Sequence, residues 1–160
     1  MVFKKGVLYW NNGELRDFDA PQIEEYLDKR AHDTFHVATL TPDDFRDTRQ
    51  RGVLGMVPGE IITTDNGYAD HVDLEKDILK IAVVERHKGT HHIGLGYIQG
   101  YGLKSGAVAT SISHDSHNII VVGTNSADMA FAANYIVEHH GGIVVVENGK
   151  VKGDVVLEIA

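Results

Sequence analysis

"HNIIVVGTNSADMAFAANYIVEHHGGIVVVENGKV", residues 117–151, decides how this chain folds. Ile119–Val122 is a wholly apolar run, as expected of a strand covered on both faces. Asn125 or Ser126 can cap a helix running to about His140, with Met129, Ala133 and Ile136 facing inward. Gly141-Gly142 offers the left-handed stop. Ile143–Val146 reads as a second apolar strand, and Asn148-Gly149 turns it into a third, Val151–Leu157. Strand, helix, strand is most simply a right-handed crossover, which makes part of the sheet parallel. The fold class is therefore α/β of the mixed α+β kind: a largely β, mixed sheet with a βαβ crossover unit near the C-terminus and flanking helices.

Upstream, "DILKIAVVERH" is a strand in which Leu79, Ile81 and Val83 alternate with Lys80, Ala82 and Val84. The alternation carries Glu85 onto the Leu79 face. That carboxylate must lie beyond the strand's end, in solvent, or be buried with a partner such as Arg86 or His87. Between this strand and the next, glycines fall at 94, 96, 100, 102 and 106. They match neither the dinucleotide nor the P-loop fingerprint, and read as bulged strands and close backbone approach. Nearer the start, "VLYWNNGELRDF" is a hairpin: Val7–Trp10, an Asn12-Gly13 turn, then Glu14–Phe18. Asp17 or Asp19 then precedes "APQIEEYLDKR", an amphipathic helix with Ile23, Tyr26, Leu27 and Arg30 at helical spacing. Thr41–Asp44 can start one helical turn and Val53–Met56 a strand. Pro58-Gly59 is a break, after which Ile61–Thr64 forms a strand ended by an Asn66-Gly67 turn.

Composition bounds the function. At 160 residues this is one domain with room for a real core. A net charge of −8 lacks the basic face that nucleic acid requires. No window is long and apolar enough to span a bilayer, and "MVFKKGVLYW" is no signal peptide. The expectation is a soluble, cytoplasmic protein with neither a nucleic-acid nor a membrane partner. The lack of cysteine excludes disulfides, thiolate zinc sites, a cysteine nucleophile and the Pro-Cys-x-x-Cys signature of zinc nucleobase deaminases.

"SISHDSHNII", residues 111–120, concentrates the chemistry. His114 and His117 would share a helix face but take opposite faces of a strand, where Asp115 and His117 would share one. In a bend between strands, all the polar side chains could converge. Three readings stand: a metal site completed from elsewhere, for example by Glu85 or His87; an acid/base or ligand-contacting site; and a hydrogen-bonded turn. The strand of about five residues after the cluster separates it by roughly 15 Å from the anion-attracting helix N-terminus.

"VVERHKGT", "GLGYIQGYGLKSGAVATSISHDSHNIIVVGTNSADMAFAAN" and "GGIVVVENGKV" together resemble the C-terminal domain of bacterial and archaeal adenine deaminases, and "VLGMVPGEIITTD" is similar to the run-in to that domain. The resemblance covers essentially the whole chain and is most specific over residues 83–149. Its most distinctive words are Glu85-Arg86-His87 and His114-Asp115-Ser116-His117-Asn118.

The resemblance implies hydrolysis of adenine to hypoxanthine and ammonia within the amidohydrolase superfamily, a step in purine salvage and adenine catabolism. A preceding (β/α)8 barrel would hold manganese or iron, lowering the pKa of a bound water towards about 7. That barrel, of about 250 residues, has no room in this chain. Residues 1–160 are accordingly expected to be the C-terminal domain, with residues 1–18 a linker hairpin following the barrel. "LEIA" at 157–160 stands where the family has "LPIA". The domain is expected to complete or cover the active site. His114, Asp115 and His117 would contribute to catalysis, and Glu85, Arg86, His87, Ser116 and Asn118 would contact substrate. The implied partners are adenine, the barrel of the same protein and further copies in a homo-oligomer. The metal is expected to be held by the parent enzyme and not by this chain alone. A non-catalytic module that binds a small molecule or metal, or mediates oligomerisation, is the alternative.

Overall fold

The computed structural model describes residues 1–16 and 22–159. Its body is an eight-stranded mixed sheet; a three-stranded sheet, two α-helices and one 3-10 helix complete the elements among the described residues. The small sheet comes first: β1 (Val2–Lys4), β2 (Val7–Asn11) and β3 (Glu14–Leu15), all antiparallel. Asn12 and Gly13 both take positive φ, as the expected turn requires, and Lys5-Gly6 makes a second such turn into the unforeseen β1. Helix α1 (Glu25–His32) starts later than "APQIEEYLDKR" suggested, and its N-cap Glu24 makes no side-chain bond. The expected caps Asp17 and Asp19 lie outside the described residues, as does the far end of the expected strand 14–18.

The large sheet contains β4 (Arg51–Met56), β5 (Thr63–Ala69), β6 (Ile78–Val84), β7 (Ile93–Gln99), β8 (Ala107–Thr110), β9 (Ile119–Gly123), β10 (Gly142–Glu147) and β11 (Lys150–Val156). Their order across it is β11-β10-β8-β9-β6-β7-β4-β5. The strand–helix–strand unit forms as expected, as β9, α2 (Ser126–Glu138) and β10. One feature differs: β9 and β10 run parallel but are not neighbours, because β8 is inserted between them, antiparallel to both. The parallel ladder among the described residues is instead β4 with β7.

Helix α2 makes the core. Met129, Ala132, Ala133 and Ile136 are buried against Ala107, Ala109, Val121 and Val144 of the sheet. The fit is close: a Cβ at Gly123 would come within 2.4 Å of the Met129 side chain. Residues 34–45 cover the rest of this face, burying Leu40 and Phe45. Asn134 of α2 fastens them, accepting from the Leu40 N–H at 2.9 Å and donating to its carbonyl at 2.8 Å. The turn expected after Thr41 is a 3-10 helix, Pro42–Phe45, with a capping box between Thr41 and Asp44.

Asn125 is the cap of α2, its side chain accepting from the Asp128 N–H at 2.8 Å and donating to the Asp128 carboxylate at the same distance. Asp128 also accepts from the N–H groups of Asn148 and Gly149, tying the β10–β11 turn to the helix start. Burial pushes the Asp128 pKa up, but these donors outweigh it and hold the carboxyl below its ordinary value. At the other end the left-handed residue is His140. The N–H groups of Gly141 and His140 return to the carbonyls of Ile136 and Val137, a Schellman ending one residue earlier than the Gly-Gly pair suggested. Gly142 is needed for another reason: with φ of +130°, any Cβ there would lie 2.1 Å from the Val155 carbonyl of the paired strand.

Asn66-Gly67 also departs from expectation. It lies within β5, not at its end, where the β4–β5 register shifts between Gly52 and Leu54. Gly67 has φ of +83°, so the pair forms a bulge where a turn was expected. A local Asn-Gly signal is the same in both settings; the strand partner decides between them. Because Asn125 satisfies the helix end and orients Asp128 as well, Asn125→Ala should destabilise the domain by about 1–2 kcal/mol in urea unfolding.

Candidate functional site

The two distinctive polar segments meet at one end of the sheet. Antiparallel pairing of β6 with β9 sets Val84 opposite Ile119, so residues 85–90 leave the sheet beside residues 114–118 entering it. Strand β8 stops at Thr110, and the histidine cluster occupies the loop between two antiparallel strands. Of the three geometries considered, the bend is the one present.

Arg86 pins that loop. It is buried, with 4 % of its surface exposed, and its Nε donates to the His117 carbonyl at 2.5 Å. Its Nη1 donates to Thr34 Oγ1 at 3.3 Å, and the guanidinium stacks over the Phe35 ring at 4.1 Å. The Arg86 N–H reaches Asn118 Oδ1 at 3.4 Å, and its carbonyl accepts from the His36 N–H at 2.7 Å. Burial lowers the Arg86 pKa. Its charge is held by a carbonyl, a hydroxyl and an aromatic face.

His87 makes a second tie, its Nε2 lying 2.8 Å from the Ser116 carbonyl. A carbonyl only accepts, so Nε2 is the nitrogen that carries hydrogen. Glu85 lies beyond the strand's end, as one sequence alternative had it, and not in an ion pair with Arg86. Its carboxylate accepts from the N–H groups of His87, Lys88 and Thr90 and from the Thr90 hydroxyl. Desolvation raises the Glu85 pKa, but these donors together outweigh it and hold the group at about 2.

With its base fixed, the loop presents its tip outward. His114 Nδ1 pairs with Asp115 Oδ1, and the two side chains are 90 % and 85 % exposed. Ser116 and His117 are exposed too, while Asn118 is half-buried and its N–H bonds to Ser116 Oγ at 3.3 Å. Thus His114, Asp115, Ser116 and His117 form the outer surface, Arg86 and His87 form its support, and Glu85 closes the turn 85–90 that carries them. Among the described residues, no three His, Asp or Glu side chains converge to hold a metal ion. Thr34, Phe35 and His36, the cradle of Arg86, were not foreseen; "DTFH" has no periodicity that would mark it.

The loop is a projection, not a cleft. Two concavities, of about 620 and 360 Å³, lie on the sheet face opposite α2, and neither is lined by residues 114–118. A convex polar tip can enclose a small molecule only against another surface.

Residues 59–160 match the family described as adenine deaminase C-terminal domain. Similar relatives include adenine deaminase 1 of Rhizobium etli, 48 % identical over 118 residues covering 69 % of this chain. Adenine deaminase 1 of Rhizobium johnstonii is 50 % identical over 115 residues covering 68 % of this chain, and adenine deaminase of Bacillus velezensis 48 % identical over 133 residues covering 77 %. The chain spans about a fifth of the length of these relatives, 21 %, 20 % and 23 % respectively.

Two outcomes test this geometry. Glu85 has a depressed pKa, so its stabilising contribution is present above the ordinary carboxylate value of 4.5 and is lost as pH falls through about 2. NMR titration of its carboxyl should give a midpoint near 2, and Thr90→Val should raise it. Removing the pin by Arg86→Met should destabilise the domain by about 1–3 kcal/mol and raise amide exchange across residues 114–118.

Proposed function

This chain belongs to the adenine deaminase C-terminal domain family, and we propose that it works as the C-terminal part of an enzyme that hydrolyses adenine to hypoxanthine and ammonia. In that reaction water adds to the purine carbon bearing the amine, and the amine leaves as ammonia. The loop 114–118 faces the substrate across a domain boundary and completes or covers a pocket whose other wall is the barrel of the same protein. The observation that carries this reading is the loop itself: exposed imidazoles on a projection whose base is fixed by a buried guanidinium. A solvated turn has no need of such a support.

The proposed division of labour follows from exposure. His114 and His117 are free to donate to or accept from a purine nitrogen or a migrating proton, and Asp115 orients the His114 ring. Ser116 and Asn118 offer further polar atoms to substrate. Arg86 and His87 act through the loop they hold, as positioning residues, and Glu85 acts through the turn that carries His87. Manganese or iron in the parent enzyme would supply the activated water. Copies of the parent would assemble as a homo-oligomer in the cytoplasm.

In a full-length adenine deaminase carrying this domain, His114→Ala and His117→Ala should each lower kcat/KM for adenine at least tenfold, about 1.4 kcal/mol, with the thermal midpoint unchanged. Unaltered turnover in both variants would remove the loop from the active site. The 160-residue chain, assayed with manganese, should release no ammonia from adenine.

A further inference from the structure

The sheet has two faces, and α2 covers only one. On the other, registers from β4 to β7 bring Gly52, Gly94 and Gly96 side by side, opposite Tyr68, Val83 and Ile81 respectively. These glycines floor the 620 Å³ trough, whose walls include Leu54, Tyr68 and Val83. All three wall residues are exposed.

Glycine within a strand weakens it and is kept where a bulge, a positive φ or a close approach demands it. Gly52 borders the β4–β5 register shift, but at Gly94 and Gly96 the internal reasons fail. Neither Gly94 nor Gly96 lies at a register shift, and none of the three has positive φ. A Cβ at Gly52 would meet nothing within 4 Å; at Gly94 and Gly96 it would meet only ordinary contacts of 4.0 and 3.6 Å. The domain's own packing would accept side chains at all three, yet the floor is bare beneath walls that join Leu54, Tyr68 and Val83 to Thr63, Thr64 and Asp65.

We propose that this trough is the seat of a segment from the larger, N-terminal portion of the same adenine deaminase polypeptide, pressed against the bare backbone at Gly52, Gly94 and Gly96. The size of the outside chain favours this occupant. The matched region is about a fifth of each relative, so in a parent enzyme of that length some four-fifths of the polypeptide would be tethered to this domain at high effective concentration. The proposal rests on the family reading but not on any role for the histidine loop.

Its test is to fill the trough. Gly94→Val with Gly96→Val should lower the thermal midpoint of a full-length adenine deaminase carrying this domain by roughly 5 °C and speed tryptic cleavage between this domain and the remainder. In the 160-residue chain the same pair should leave the midpoint unchanged or raise it, valine being the better strand residue. The smaller pair Gly94→Ala with Gly96→Ala should act in the same directions, more weakly. If the 160-residue chain sediments as a dimer that the valine pair dissociates, the occupant is a second copy and the proposal is overturned. Indifference of the full-length protein, or equal loss in both proteins, overturns it also. Neither readout involves adenine turnover, so failure here is separable from failure of the histidine variants.

Discussion

Close contact between α2 and the sheet is the constraint on which the rest of this structure depends. The helix presents Ala130, Ala132 and Ala133, the sheet presents Ala107 and Ala109, and Gly123 leaves room for Met129. Small residues on both sides let the helix lie near the backbone of β8, β9 and β10. That close seat brings Asn134 within reach of Leu40 and Asp128 within reach of the β10–β11 turn. Larger side chains would lift the helix and forfeit those hydrogen bonds along with the van der Waals contact. The covering segment 34–45 is therefore tied to the same fit, and through Thr34 and Phe35 so is the cradle of Arg86.

What the sequence made legible divides along a physical line. Apolar runs with local punctuation read correctly: Ile119–Val122, the helix with Met129, Ala133 and Ile136, the strand 78–84 and the Asn148-Gly149 turn all stand where the pattern put them. Features decided by a distant strand did not. The insertion of β8 between β9 and β10 leaves no trace in either strand's composition, since both are equally apolar whichever neighbour they pair with. Asn66-Gly67 satisfies the rules of a turn and a bulge alike, and the choice belongs to β4. His140 takes a left-handed conformation although glycine follows, and Gly142 is fixed separately by the close approach of Val155 on β11.

The site was legible as two words, not as one place. That Glu85-Arg86-His87 would sit beside His114–Asn118 follows from the pairing of β6 with β9, which no local pattern encodes. Nor does residue type reveal the division between them. Glu85, Arg86 and His87 bond chiefly to backbone, and Arg86 is buried while His114 and His117 are exposed. A fixed base beneath an exposed tip is how a loop holds geometry without a pocket of its own.

The bulge in β5 has a wider consequence. Strand β5 is the outermost of the sheet, with one side of its backbone unpaired by any described strand, and its regular spacing is broken at Asn66-Gly67. Strand β11 at the opposite margin carries Lys150 and Lys152 and its own irregularity near Gly153. Neither margin offers the long, even run of donors and acceptors on which fibrous growth templates itself. An architecture with eight strands in one sheet thus terminates itself sideways, and stays a discrete particle even while much apolar side-chain surface remains uncovered.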